Sequence, residues 1–167
     1  MDVWTLVLLA GTEAAKEQIR CMKSLAGKSI LVIDDDAGML RAVSRVLKDE
    51  GAAVTCADWA GDAMDFLIPR NRPVDLVITD LRMPFVTGIT VVYAIHEIFP
   101  ALPVIVLTAF GTPEARAACK EQGVAAFLEK PLASQTLVAA VKDVLQSDSE
   151  RGEANLETGP AGKESGI

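Results

Sequence analysis

The stretch ILVIDDDAGMLRAVSRVLKDEG, residues 30–51, decides how this chain folds. Its first four residues, Ile30 to Ile33, are all apolar and stop abruptly at Asp34, Asp35 and Asp36. An apolar run of that length, with no polar alternate, suits a strand buried on both faces, and the aspartates suit the loop at its carboxyl end. From Ala37 to Glu50 the period changes: Met39, Leu40, Val43, Val46 and Leu47 recur at the spacing of a helix with one apolar face. Gly51 supplies the stop.

The same alternation continues down the chain. Ala52 to Cys56 reads as a strand and Ala60 to Ile68 as a helix closed by Pro69; Val74 to Thr79 is a strand with Asp80 at its end, and Gly88 to Phe99 a helix closed by Pro100. Val104 to Leu107 is a strand ending at Thr108, followed by a helix from Pro113 to Gln122 with Thr112 as N-cap and Gly123 after its end. Val124 to Leu128 and Leu132 to Leu145 form the last strand and helix. Connections this short between five strand–helix pairs allow only right-handed crossovers, so the class is α/β, with a parallel sheet covered by helices on both faces.

Composition narrows the function. Half of the 167 residues are apolar but few are aromatic, so the core is expected to be Val, Ile, Leu and Ala. A formal net charge of -7 without clustered Lys and Arg argues against direct nucleic-acid binding. Cys21, Cys56 and Cys119 form no CxxC pair and read as reduced, mostly buried thiols of a cytoplasmic protein. Val3 to Ala10 is apolar but too short to span a bilayer, and Asp2 gives no positive flank for export. Neither GxGxxG nor GxxxxGKS/T occurs.

Two flanks lie outside the repeating unit of residues 29–146. In the extension 1–28, Ala15, Ile19, Met22 and Ala26 share one helical stripe, which suits either a helix packed on the domain or on a second copy, or a leader without fixed structure. The segment 147–167 is rich in Gly, Glu and Ser and is expected to be a disordered tail.

In an open parallel sheet, side chains at the carboxyl ends of the strands converge on one crevice. Here they are Asp34 and Asp35, Asp80, Thr108 and, after the fifth strand, Lys130. Three carboxylates without a neighbouring His or Cys call for a hard, oxygen-preferring cation, and Mg²⁺ suits a site with few protein ligands. Strand-end Asp residues are also common helix caps, and one of Asp34, Asp35 and Asp36 is expected to cap the helix at Ala37.

The motifs ILVIDDD, DLVITDLRMPFVTG, PVIVLTAF and FLEKPL together closely resemble the receiver domain of bacterial two-component response regulators, over Ser29 to Leu145. The resemblance implies a flavodoxin-like sheet of order 2-1-3-4-5 and a phosphoacceptor at Asp80. It implies Asp35 as a direct Mg²⁺ ligand, Asp34 acting through the metal's water shell, and the main-chain carbonyl of Arg82 completing the set. Asp36 takes no direct metal role. Thr108 would donate to a phosphoryl oxygen, and Lys130, before Pro131 in a commonly cis bond, would pair first with the acceptor and then with the phosphoryl group. Phe127 takes the place of the switch aromatic on the fifth strand, with output through the helices on either side of it. Arg82 and Phe110 occupy positions that modulate access of water to the acyl phosphate, and Phe85 stands where many relatives have Gly.

The implied partners are a sensor histidine kinase or histidine phosphotransfer protein and a downstream protein target, with a second copy of the chain as a further candidate. A phosphorelay intermediate and a degenerate receiver acting only as an interaction module remain open alternatives. An aspartyl phosphatase would need DxDxT/V, whereas Leu81 and Arg82 follow Asp80; a flavin binder would need a phosphate-cradling loop where this chain has three aspartates. The single histidine, His96, is assigned no role.

Overall fold

The structure, a computed structural model, describes residues 23–69 and 73–156. Five parallel strands, β1 (Ser29–Ile33), β2 (Ala53–Ala57), β3 (Leu76–Thr79), β4 (Val104–Thr108) and β5 (Ala126–Glu129), form one sheet of order β2-β1-β3-β4-β5. Between and after them run α1 (Ala37–Asp49), α2 (Ala60–Leu67), α3 (Gly88–Ile98), α4 (Pro113–Glu121) and α5 (Ser134–Leu156). The flavodoxin-like order expected above is the observed one.

Because successive strand side chains point to opposite faces, β1 feeds two cores. Ile30 and Val32 join Ile78, Ile105 and Leu107 under α1 and α5, through Leu40, Val43, Leu47, Leu137 and Val141. Leu31 and Ile33 join Val77, Val104 and Val106 under α2, α3 and α4, through Ala63, Leu67, Val91, Val92, Ile95 and Cys119. Each fully buried aliphatic side chain contributes about 1.5–3 kcal/mol relative to exposure, so these two layers hold the strand ends in place.

The helix starts follow local chemistry. Asp36 caps α1 by accepting from the N–H groups of Gly38 and Met39, Thr87 caps α3 by accepting from Thr90, and Thr112 caps α4, with Pro113 in the first turn. Gly51, at φ 95°, reverses the chain after α1 in a conformation costly for any residue with a Cβ.

Four expectations need correction. The core draws on the chain before Ser29: Leu25 is buried in it, its N–H donates to Glu50 O, and residues 23–27 form a turn, so Ala26 does not continue a helical stripe. Helix α5 does not stop at Leu145 but runs to Leu156, so residues 147–156 are helical instead of part of a disordered tail. No proline intervenes there, and the polar residues Ser, Asp, Glu and Arg are tolerated on a helix that is already nucleated. Cys56 is exposed, because β2 is an edge strand with only one neighbour. Finally, β5 starts at Ala126 and β3 at Leu76, two residues later than expected. Cys119 is buried, and burial pushes its thiol pKa up against the opposing pull of Arg116. The rest of the head, including Cys21, and residues 157–167 lie outside the described residues. Among the described residues no helix is long and apolar enough to cross a membrane.

Candidate functional site

Strands β1 and β3 are direct neighbours, with Ile33 opposite Thr79, so the residues that follow them emerge side by side. Asp34 and Asp80 are both buried, Asp35 is exposed, and one oxygen from each of the three can be chosen so that all lie within 4.8 Å of one another. Main-chain bonds fix the placement: Asp80 N–H donates to Ile33 O and Asp34 N–H to Ala57 O.

Each buried carboxylate has one oxygen held by the chain and one turned to a shared cation. Asp34 Oδ1 accepts from Asp36 N–H at 2.9 Å, and Asp80 Oδ1 from Leu81 N–H at 2.6 Å. The other oxygens meet Lys130: its Nζ is 2.6 Å from Asp34 Oδ2 and 3.3 Å from Asp80 Oδ2. Lys130 is positioned by its own N–H, which donates to Thr108 O at 2.8 Å, and is followed by a cis bond to Pro131. Thr108 is fully buried, and its Oγ1 accepts from Phe110 N–H at 3.2 Å. Asp34, Asp35, Asp80 and Lys130 thus come together here, with Thr108 joined through its main-chain bond to Lys130, while the Asp36 side chain caps α1.

Three carboxylates against one ammonium leave a formal local charge of -2, and all three ligand groups are oxygen donors. A small hard divalent cation matches both the charge and the donor set.

Around this cluster stand groups of less obvious purpose. The Arg82 guanidinium lies 3.7 Å from the centroid of the half-exposed Phe110 ring. Phe85 is fully exposed at φ 69°, a left-handed conformation unusual for a bulky residue. Phe127 is half-buried, under the guanidinium of Arg116. His96 lies away from the site, its Nδ1 2.8 Å from Gln122 O, where it ties α3 to the end of α4.

Sequence reasoning missed Gly88. A Cβ at this position would overlap Asp80 O and stand 2.7 Å from Leu81 Cα and 2.8 Å from Asp80 C, all main-chain atoms. The Gly88 N–H also donates to Leu81 O at 2.8 Å, closing the loop that begins at the acceptor. The only available signal was the glycine at the end of MPFVTG, which spacing alone does not connect to Asp80.

The fold and pocket define an open α/β domain with a buried acidic site at the carboxyl edge of its sheet. Residues 30–142 match the family model described as response regulator receiver domain, and the chain belongs to that family. It is 36% identical over 120 residues to the transcriptional regulatory protein GlrR of Escherichia coli (strain K12), a match covering 72% of this chain and 27% of that protein. It is 35% identical over 120 residues to response regulator MprA of Mycobacterium sp. (strain KMS), covering 72% of this chain and 51% of MprA. The chain thus matches only a quarter to a half of the length of these curated relatives. Among solved structures, a receiver domain protein from Clostridium thermocellum superposes with a TM-score of 0.69 at 28% identity, covering 73% of this chain and 97% of that one. A CheY-like receiver domain protein from Methanospirillum hungatei JF-1 superposes with a TM-score of 0.70 at 25% identity, covering 74% and 98%. The Asp34, Asp35 and Asp80 cluster matches the acidic phosphoaccepting site typical of Mg²⁺-binding receiver domains.

Proposed function

We propose that this chain is a phosphorylation-activated switch that accepts a phosphoryl group on Asp80 from a phosphohistidine of a sensor histidine kinase or a histidine phosphotransfer protein. The observation that carries this reading is the sharing of one largely enclosed ammonium, that of Lys130, between the buried carboxylates of Asp34 and Asp80. Such a cation is placed to follow charge as it moves from the acceptor to an incoming phosphoryl group.

A carboxylate oxygen of Asp80 attacks phosphorus, the bond from phosphorus to the donor nitrogen breaks, and an acyl phosphate forms. Asp80 Oδ1 is held by the N–H of Leu81, which leaves Oδ2 as the attacking atom. Lys130 then shifts from the carboxylates toward the phosphoryl oxygens and offsets their charge. Thr108 keeps its own hydroxyl hydrogen while accepting from Phe110, and that hydrogen is donated to a phosphoryl oxygen. Asp34, Asp35, Asp80 and the main-chain carbonyl of Arg82 would hold Mg²⁺. When bound, the ion supplies further charge neutralisation and alignment of the phosphoryl group. Phe127 and the faces of α4, β5 and α5 relay the change to a downstream protein or to a second copy, in the cytoplasm.

Incubation with acetyl phosphate and Mg²⁺ followed by intact-protein mass measurement tests this reading. The expected result is a gain of one phosphoryl group in the parent and none in Asp80→Asn. A gain that persists in Asp80→Asn, or no gain in a folded parent, defeats it.

Arg82, two residues after the acceptor, stacks on Phe110, two after Thr108; a cation and a ring at these positions would hinder water from reaching the acyl phosphate, so the phosphorylated form is expected to be long-lived. Phe110→Glu removes the ring, adds a group able to orient water, and is expected to shorten the lifetime about tenfold, or about 1.4 kcal/mol of barrier. Decay followed by mass at fixed Mg²⁺ checks this, and an unchanged lifetime assigns the stack no protective role.

A further inference from the structure

Arg116, in the first half of α4, sits at a junction that the chemistry above does not use. Its guanidinium lies over the ring of Phe127 on β5, 4.4 Å from the centroid, and pairs with the carboxylate of Glu129 on the same strand. Glu129 in turn is the register partner of Thr108 across β4 and β5, and it immediately precedes Lys130. Its side chain also lies against Gly111, where any Cβ would overlap it. Gly111 follows Phe110, whose N–H is held by Thr108 Oγ1.

One guanidinium therefore ties α4 to the end of β5, at Glu129, which stands opposite Thr108 of β4 and directly before Lys130. The ties are weak by nature. The Arg116 and Glu129 side chains are 51% and 52% exposed, and exposed ion pairs and cation–π contacts are each modest. Contacts of that strength suit a device that opens better than they suit a structural staple.

We propose that Arg116 is a latch of the resting conformation, holding α4 on β5 through Phe127 and Glu129 and releasing both when Thr108 and Lys130 turn to a phosphoryl group on Asp80. The proposal rests on the Asp80 reading and names how that site is coupled to α4. Its physical basis is adjacency: Glu129 directly precedes Lys130, whose Nζ lies 2.6 Å from Asp34, so a shift of the main chain at Lys130 carries Glu129 with it. A turn of the Thr108 hydroxyl likewise loosens its hold on the N–H of Phe110, the residue before Gly111, against which Glu129 packs. An interaction made in only one of two states biases the equilibrium against the other, and lowers the apparent affinity of any ligand that needs the other.

The test is the affinity of beryllofluoride, in the presence of Mg²⁺, for the full chain, read by ¹⁹F NMR alongside the thermal midpoint. Arg116→Met keeps the aliphatic stem and removes the stack and the pair; it is expected to bind roughly three- to tenfold more tightly than the parent. Glu129→Gln, which loses only the pair, is expected to fall between them, and Arg116→Lys, which restores the charge, to return toward the parent. A purely structural Arg116 would lower the thermal midpoint and leave the affinity unchanged or weaker, and that result overturns the latch. Failure of the folded parent itself to bind would sink the Asp80 reading, and the latch with it.

Discussion

Lys130→Met is expected to destabilise the protein by about 2–3 kcal/mol in metal-free buffer and to slow phosphorylation by acetyl phosphate by about two orders of magnitude. The side chain is 12% exposed, and its two carboxylate partners are 5% and 10% exposed, so solvent screens the cluster poorly. Removing the ammonium leaves Asp34 and Asp80 facing each other, with Asp35 nearby and, among the described residues, no other ion pair to either of them. The stability loss has a signature that a packing defect would not share. Excess Mg²⁺ supplies the missing positive charge and should restore most of the urea midpoint, whereas the loss in phosphorylation rate should remain. A variant as stable as the parent without metal would mean that the ammonium is not what holds the carboxylates together.

Gly88→Ala is expected to cost about 2–4 kcal/mol and to depress phosphorylation even in molecules that remain folded. The added methyl group would run into the main chain at Asp80 and Leu81, which cannot rotate aside as the end of a flexible side chain would. Relief requires the loop from Leu81 to Thr87 to move away from α3, and with it the N–H groups that hold Asp80 Oδ1. Urea unfolding gives the stability cost, and mass measurement on the folded fraction gives the chemical one. Equal phosphorylation in parent and variant would show that the acceptor carboxylate tolerates a shift of its own backbone.

The pattern of this sequence carried most of the architecture because strands buried on both faces are written as unbroken apolar runs. Ile30 to Ile33 and Val104 to Leu107 leave little choice of period, and the polar residue ending each run marks the edge where a site must lie. The candidate site was legible for that reason: Asp34 and Asp80 directly follow β1 and β3, and Thr108 is the polar residue that closes β4. The spatial order of the strands came from family resemblance, since hydrophobic period says nothing about which strand sits beside which.

What escaped reading has an equally physical cause. Leu25 looked like part of an undefined head because a single apolar residue in a turn has no period, yet it completes the core beneath α1. The continuation of α5 beyond Leu145 escaped because its later turns lack an apolar stripe, and sequence reasoning recognises a helix mainly by the face it buries. Cys56 was read as buried because a thiol is usually an interior group, a tendency that an edge strand overrides. Arg116 gave no signal at all: a basic residue on a helix is ordinary until Phe127 and Glu129, more than ten positions away, are found beneath it.

The pairing of Lys130 with Asp34 also bears on how the molecule comes into being. These partners are 96 residues apart in the chain, and Lys130 is 50 residues after Asp80. During synthesis from the amino terminus, β1 and β3 bring the carboxylates together well before β5 delivers their counter-ion. Until then, closing the centre of the sheet concentrates negative charge, so early docking of these strands works against electrostatic repulsion. The completed pocket rewards the arrival of the last strand, and non-local contacts of this kind slow folding while making it cooperative. A divalent cation present in the medium would relieve the same repulsion sooner, and in that capacity would act as a folding aid to the nascent domain before it serves any signal.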